Sequence, residues 1–522
     1  MPEPPEEQPD ESGTTHETGP SGHEPDEERG RLSRVVAARR ETLERLKARG
    51  VPPFALNFAK DADAADVLRE FDSLERGQET DQVRTVAGRI VMLRRLGGVA
   101  FVVIRDRSGD LQLFCSQDSM DEGSWALLDD LDLGDIVGAA GPVVKTKRGE
   151  VSVKPTTVTL LTKSLHPPPE KWAGIRDPEL KVRRRYVQLF ADPTYRKVVQ
   201  TRAKILKSMR SVLDAEGFLE VETPVLQITQ GGALATPFLT HHKVLDVDLF
   251  LRIAPELYLK RLLVGGLERV YEIGRNFRNE GIDRDHNPEF TMLEFYVAYG
   301  DYEDMMRLAE RLVRAAALDV VGTLRFEYQG RELDLETPWR RVTILELVSE
   351  AVGEEVALDR TDLPELADRH GVGLDPAWGP GHVVWELYEK LVEETIFQPT
   401  FVKDVPQEVS PLARPHRSSP GVTEHFDLII AGMEIGPAYS ELTDPDDQRA
   451  RFEAQQAARG RGDEEAHPLD EDFLLALEHG MPPAGGMGMG IDRLAMVLAD
   501  QPSIRDVITF PHLRPEEGRA GS

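Results

Sequence analysis

The sequence predicts an α+β protein: a small closed β-barrel followed by a larger domain of mixed strands and helices. Three observations predict it. At 522 residues the chain exceeds what one hydrophobic core usually supports. Short β-rich runs crowd the stretch from Arg84 to Leu161. From Asp177 onward helices and strands alternate without the regular rhythm of a doubly wound parallel sheet.

Composition bounds the function before any motif does. Hydrophobic residues make up 40%, and apolar runs such as Val99 to Ile104 are far too short to cross a bilayer. No apolar segment follows the N-terminus, so a cytoplasmic protein without a membrane partner is expected. One cysteine, Cys115, excludes an internal disulfide and a Cys-rich zinc site, and it reads as a packed strand residue. The net charge of −29 runs against phosphate binding, which needs clustered Lys and Arg. Part of that charge is local: Met1 to Glu28 holds ten Asp or Glu and no Lys or Arg. Residues 1–29 are read as a disordered acidic tail with nothing to bury.

Residues 30–80 form an N-terminal helical segment. Val35, Val36, Leu43 and Leu46 recur at helical spacing among arginines, predicting an amphipathic helix that stops near Gly50 and Pro52. The basic run from Arg31 to Arg49 suits RNA, and a solvated helix face explains it equally well. Five runs then follow, VAGRIVML, AFVVIRD, LQLFC, DIVGAAGPVV and EVSVKPTTVTLL, separated by Gly, Asp and Ser turns. Five such strands over 81–165 make the oligonucleotide-binding barrel a leading candidate. His166-Pro167-Pro168-Pro169 opens a stiff linker, 166–180. The larger domain spans 181–516. Its helix Thr201 to Ala215, with Ile205, Met209, Val212 and Leu213 on one face, stops at Gly217 before the strand-like Leu219-Glu220-Val221. Residues 341–397 read as a mainly helical, polar insertion, and 517–522 as a disordered C-terminus.

Three clusters carry chemistry. In Glu272 to Tyr299, two strand-like runs flank a loop holding Arg275, Arg278, Glu280, Arg284 and His286. Alternation sets Phe290, Met292, Glu294 and Tyr296 on one face of the second run. In Phe426 to Leu442, Ala431-Gly432 makes a two-residue turn, Ile429 faces Glu434, and Asp427 lies diagonally from Glu434. Diagonal carboxylates converge well enough to share a metal, and oxygen-only ligands favour Mg²⁺ with nucleotide phosphate completing the shell. Glu441 is left for another ligand. In Gly485 to Leu498 a glycine-rich strand enters a helix with Arg493 in its first turn; free N–H groups there suit phosphate. Neither dinucleotide nor P-loop fingerprints occur, nor a convincing Ser-His-Asp, Cys-His or H-E-x-x-H set. Arginines plus Mg²⁺ around a phosphate suit in-line attack at phosphorus, which needs no protein base.

These clusters resemble motifs 1 to 3 of class II aminoacyl-tRNA synthetases: GFLEVETPVLQ, LERVYEIGRNFRNEGIDRDHNPEFTMLEFY and GMGMGIDRLAM. From about Arg31 to Pro515 the chain resembles bacterial lysyl-tRNA synthetases, with FLTHHKVLDVDLFLRIAPELYLKRLLVGG and VSPLAR closest to that family. The resemblance implies an antiparallel sheet flanked by helices, an anticodon-binding barrel, and a homodimer formed largely through motif 1. It implies ATP-dependent activation of L-lysine and transfer to tRNA(Lys). Arg278 would hold the α-phosphate and the substrate carboxylate; Glu280, His286 and Phe290 would position the nucleotide. Arg493 would meet the γ-phosphate side, and Asp427 and Glu434 would hold Mg²⁺. Gly232, Glu256, Arg278, Glu294, Tyr296 and Glu441 would surround the lysine, which agrees with the need of a buried ammonium for carboxylates. Phe101 would stack on the central anticodon base and Gln112 would bond it.

Two departures stand out. The family's Ile-Gly-Asn-Gly after Glu434 is here Ile435-Gly436-Pro437-Ala438, and Thr236 stands where Arg is common. Losing a donor weakens or redirects amino-acid binding. The alternative is therefore a specialised paralogue activating a lysine analogue or another amine-bearing amino acid. A non-catalytic RNA-binding protein of the same fold is disfavoured, since Arg278, Glu280, Glu434 and Arg493 are all retained.

Overall fold

The structure is a computed structural model and describes residues 26–169, 177–233, 235–376, 378–459 and 469–514. Most of the segment read as an acidic tail, part of the 166–180 linker and all of 517–522 lie outside the described residues. Two units make up the chain, Met1–Pro178 and Glu179–Ser522.

In the first unit the strands Glu79–Leu96, Val99–Arg105, Asp110–Ser116, Val151–Val153 and Ile136–Lys145 pair in that order, and the last closes back onto the first. This is a ring of five, with Thr157–Thr162 added beside Ile136–Lys145. The fifth predicted run becomes two strands because it breaks at Lys154-Pro155, where proline offers no N–H to a ladder. Cys115 lies in the barrel core with Val102, Ile104 and Leu113.

The first helix, Asp26–Ala48, begins inside the segment read as tail. Its Leu43 and Leu46 are buried, as their spacing predicts. Its arginines require a correction. Arg39 is itself buried and donates to the carbonyls of Ser164, His166 and Leu133, at 2.9, 3.1 and 2.9 Å. Arg45 and Arg49 both pair with buried Asp130. Arg39 is thus closed off by the unit's own carbonyls, whereas Arg45 and Arg49, though paired, keep 54% and 41% of their side chains exposed.

The second unit is built on an eight-stranded sheet. Its order is Arg340–Thr343, Thr400–Lys403, His425–Ile430, Met433–Ser440, Ala484–Gly490, Glu289–Ala298, Arg269–Phe277 and Leu219–Glu220. Both edge pairs are parallel and the pairs between them antiparallel. One face packs under the helices Pro193–Ala215, Tyr302–Val320 and Ile491–Leu498, with Met209, Leu293, Phe295 and Met489 in the core. The first of these starts earlier than its apolar spacing suggested: Asp192 accepts from the Thr194 N–H and Pro193 occupies the first turn. It ends at Glu216, and Gly217 then takes a left-handed φ of 78° before the edge strand.

Within 341–397 stand the helices Ile344–Val352, Leu363–Arg369 and Pro380–Leu391. The segment is less polar than its composition suggested, because Leu347, Val384 and Leu387 pack with the sheet residues Val402 and Ile429. Among the described residues, no helix is long and apolar enough to cross a membrane.

Candidate active site

The central strand Glu289–Ala298 sorts its side chains as alternation predicts. Leu293, Phe295 and Val297 enter the core, while Phe290, Met292, Glu294 and Tyr296 take the other face. Beside it, Gly488 pairs with Glu294 and Gly486 with Tyr296. A Cβ at Gly486 would stand 2.2 Å from Glu441 Oε1 and 2.3 Å from Tyr296 Cε1. The glycine strand is therefore a floor over which larger neighbours converge.

Glu256, Glu294 and Glu441 are all buried. Tyr296 donates to Glu294 at 3.1 Å, and Tyr439 donates to Glu256 at 2.7 Å. Gly232 closes the pocket: with φ of 88°, its missing Cβ would fall 2.9 Å from Glu256 Cβ. Burial, reinforced by the charge of Glu256, holds Glu294 well above the usual carboxylate range. Burial also raises Glu441, against the pull of Lys260. Such a nest of carboxylates suits a cation. Lys260 was missed in the sequence although it lies one helical turn after Glu256, and it is fully buried against Glu256 and Glu441.

The residues expected to meet the nucleotide gather nearer the surface. Arg278 follows the strand Arg269–Phe277, its main-chain N–H donating to Pro288 O at 2.9 Å. Its guanidinium lies 5.1 Å from the centroid of the Phe290 ring. Burial pulls Arg278 below the usual range, while Glu280 and Glu434 hold it up and Arg493 opposes them. Arg493 donates to Glu434 O at 2.6 Å and meets His286 Nε2 at 3.0 Å. His286 in turn contacts Asp283 at 2.9 Å. Arg275 and Arg284 are turned to neighbours, pairing with Glu289 and Asp285. Asp492, unnoticed in the sequence, anchors the helix start by accepting from the Thr291 N–H at 2.7 Å and from Arg202.

In the acidic hairpin Ala431 and Gly432 form the two-residue turn, with φ of 57° and 74°, and Ile429 pairs with Glu434. A bulge between Leu428 and Ile429 then moves the register, so Asp427 stands opposite Pro437. The bulge explains how a proline sits inside a central strand. Asp427 and Glu434 both act on Glu393: burial, then these two charges, push it up to about 8. Glu393 is thus a third acid at this end, invisible in a segment read as an insertion. Asp427 also accepts from a buried chain, His425 Nε2 at 3.2 Å with Ser410 Oγ 2.8 Å from His425 Nδ1. The spacing concealed this Ser-His-Asp set; because Ser410 is buried, it orients Asp427 and does not present a nucleophile.

In the barrel, Phe101, Phe114 and Gln112 alternate with buried Ala100, Val102, Leu111 and Leu113. Phe101 therefore faces outward and is not core, with the Phe114 ring 5.5 Å away. Gln112 donates to Ser152 Oγ at 2.8 Å. Thr236 offers its carbonyl to the Asn279 N–H at 2.8 Å.

A sheet antiparallel but for its edges, carrying two arginines, an acidic hairpin and a glycine strand, in a chain with a five-stranded nucleic-acid-type barrel, defines a class of enzyme. The sequence model described as tRNA synthetases class II (D, K and N) matches residues 177–514, and that of the OB-fold nucleic acid binding domain matches 85–161. The lysine–tRNA ligase of Moorella thermoacetica is 50% identical over 489 residues, covering 92% of this chain and 98% of that protein. That of Pelotomaculum thermopropionicum is 48% identical over 501 residues, 95% and 97% of the two chains. That of Thermosynechococcus vestitus is 49% identical over 490 residues, 92% and 97%. The chain belongs to the lysine–tRNA ligase family of class II tRNA synthetases.

Proposed function

We propose that the protein uses ATP to convert L-lysine to lysyl-adenylate and transfers the lysine to tRNA(Lys), acting in the cytoplasm as a homodimer. The observation that carries this reading is the buried carboxylate pocket of Glu256, Glu294 and Glu441 beside the arginines Arg278 and Arg493. An ammonium enters the pocket, and the substrate carboxylate is drawn to Arg278, aimed at the α-phosphate. Arg278 neutralises charge that grows on the α-phosphate oxygens during in-line attack, and Arg493 takes the outgoing phosphates. Phe290 stacks on adenine, with Glu280 and His286 flanking the nucleotide.

The acidic end fits a divalent cation. Burial first, and then the charges of Glu434 and Asp427, push Glu393 up to about 8, and a cation at this end would relieve the repulsion. No group of three His, Cys, Asp or Glu among the described residues stands ready to hold a metal alone. Mg²⁺ keeps water and phosphate in its shell, so two carboxylates suffice to place it. Asp427 and Glu434 would hold it, and it would neutralise phosphate charge.

Dimerisation through motif 1 is supported by exposed apolar side chains at Leu219, Val225 and Leu226 within it and at Ile228 and Leu239 just beyond it. Phe101 and Gln112 offer the anticodon a stacking ring and an amide. Lysine-dependent exchange of pyrophosphate into ATP tests the reading: exchange with lysine is expected, and its absence from active protein overturns it. Pro437 and Thr236 favour the second reading, a lysine-analogue ligase. An exchange screen across amine-bearing amino acids would support it by finding a better substrate than lysine.

A further inference from the structure

Lys260 is the most deeply enclosed cation of the pocket, and the proposed chemistry does not use it. It lies on the helix Glu256–Val264, fully buried, with its Nζ 2.6 Å from Glu256 Oε1 and in an ion pair with Glu441 Oε2. The ring of Tyr439 lies 5.3 Å from the ammonium, and the Tyr439 hydroxyl donates to the same Glu256 oxygen. Glu441 Oε1, on the other side of that carboxylate, is buried without a hydrogen-bond donor and overlooks the space left by Gly486. We infer that Lys260 is a resident counter-cation of the specificity pocket: it engages one oxygen of Glu256 and one of Glu441 and turns both carboxylates, so that each keeps its other oxygen for the substrate ammonium.

The inference rests on reading this pocket as the amino-acid site. Two buried carboxylates side by side share a proton unless a cation lies between them. A shared proton would compete with the incoming ammonium. The groups facing this pair are Lys260, Glu294, Tyr296 and Tyr439. Burial lowers the Lys260 ammonium, and the fields of Glu256 and Glu441 more than compensate, leaving it raised and charged. Burial raises Glu441, Lys260 draws it down, and Glu256 raises it again. Removing Lys260 therefore moves the loss of lysine affinity, which follows protonation as pH falls, to higher pH. Lys260 acts through the glutamates, so it is a positioning residue.

Calorimetric titration of the full chain with lysine, between about pH 6 and 9, tests this. In Lys260→Met the midpoint of the affinity loss should rise by about one pH unit or more, with lysine binding about tenfold weaker at pH 7. Lys260→Arg should restore the wild-type profile, and ATP affinity should stay constant in every variant. Lys260→Gln serves in the same comparison if the Met variant does not fold. An unmoved midpoint in a folded neutral variant, or an Arg variant as impaired as Met, overturns the inference alone. Wild-type protein that takes up no lysine overturns the pocket reading and the inference with it.

Discussion

The two ends of the candidate site are built on opposite principles. At the amino-acid end, Glu256, Glu294, Glu441 and Lys260 are 4%, 3%, 1% and 0% exposed, and the single ammonium pairs with two of the three carboxylates. At the phosphate end Glu280 and His286 are exposed and Arg278 and Arg493 half-buried. A small cation must be told from other amino acids, which demands a dry pocket with fixed partners. Triphosphate and its metal bring their own charge and water, so that end needs cations left open. In the proposed function, selectivity resides where the protein is closed, and chemistry where it is open.

Four substitutions probe that division, from the largest effect down. Arg278→Ala removes the cation proposed to serve both ends and should lower kcat/KM for pyrophosphate exchange by about a thousandfold. A drop shared by the lysine and ATP terms would mark Arg278 as the bridge. Gly486→Ala pushes a methyl against Glu441 and Tyr296, so KM for lysine should rise about a hundredfold with KM for ATP nearly unchanged. Equal change in both would erase the distinction between the ends. Phe101→Ala should raise KM for tRNA about tenfold and leave exchange untouched, since it lies in the barrel. Pro437→Asn, returning an amide to the pocket wall, should lower KM for lysine by about threefold, within the range of one hydrogen bond. Unchanged or weaker lysine binding there would show that the bulged strand already compensates.

Legibility followed the range of the interactions. Local periodicity revealed the sorting of Phe290 to Tyr296, the turn at Ala431-Gly432 and the stop at Gly217. These depend on alternation and turn chemistry within a few residues. The Leu428 bulge was hidden because register shifts arise from pairing with a partner strand. Glu393 and Lys260 were hidden for a different reason: only tertiary packing brings the Glu393 carboxylate beside Asp427 and Glu434 and the Lys260 ammonium beside Glu441. The Glu256–Lys260 spacing was readable as a helical pair, but its burial was not. Arg39 misled in the same way, as a surface-like arginine pinned by distant carbonyls.

The tether between Arg493 and residue 434 has an experimental use. The guanidinium holds the main-chain oxygen of Glu434 at 2.6 Å, while the carboxylate stands off at 3.5 Å. Swapping that acid for its amide therefore deletes a negative charge without casting the arginine adrift. In the proposed function, position 434 is a lever by which a bound ion's share of catalysis can be weighed apart from the arginine's.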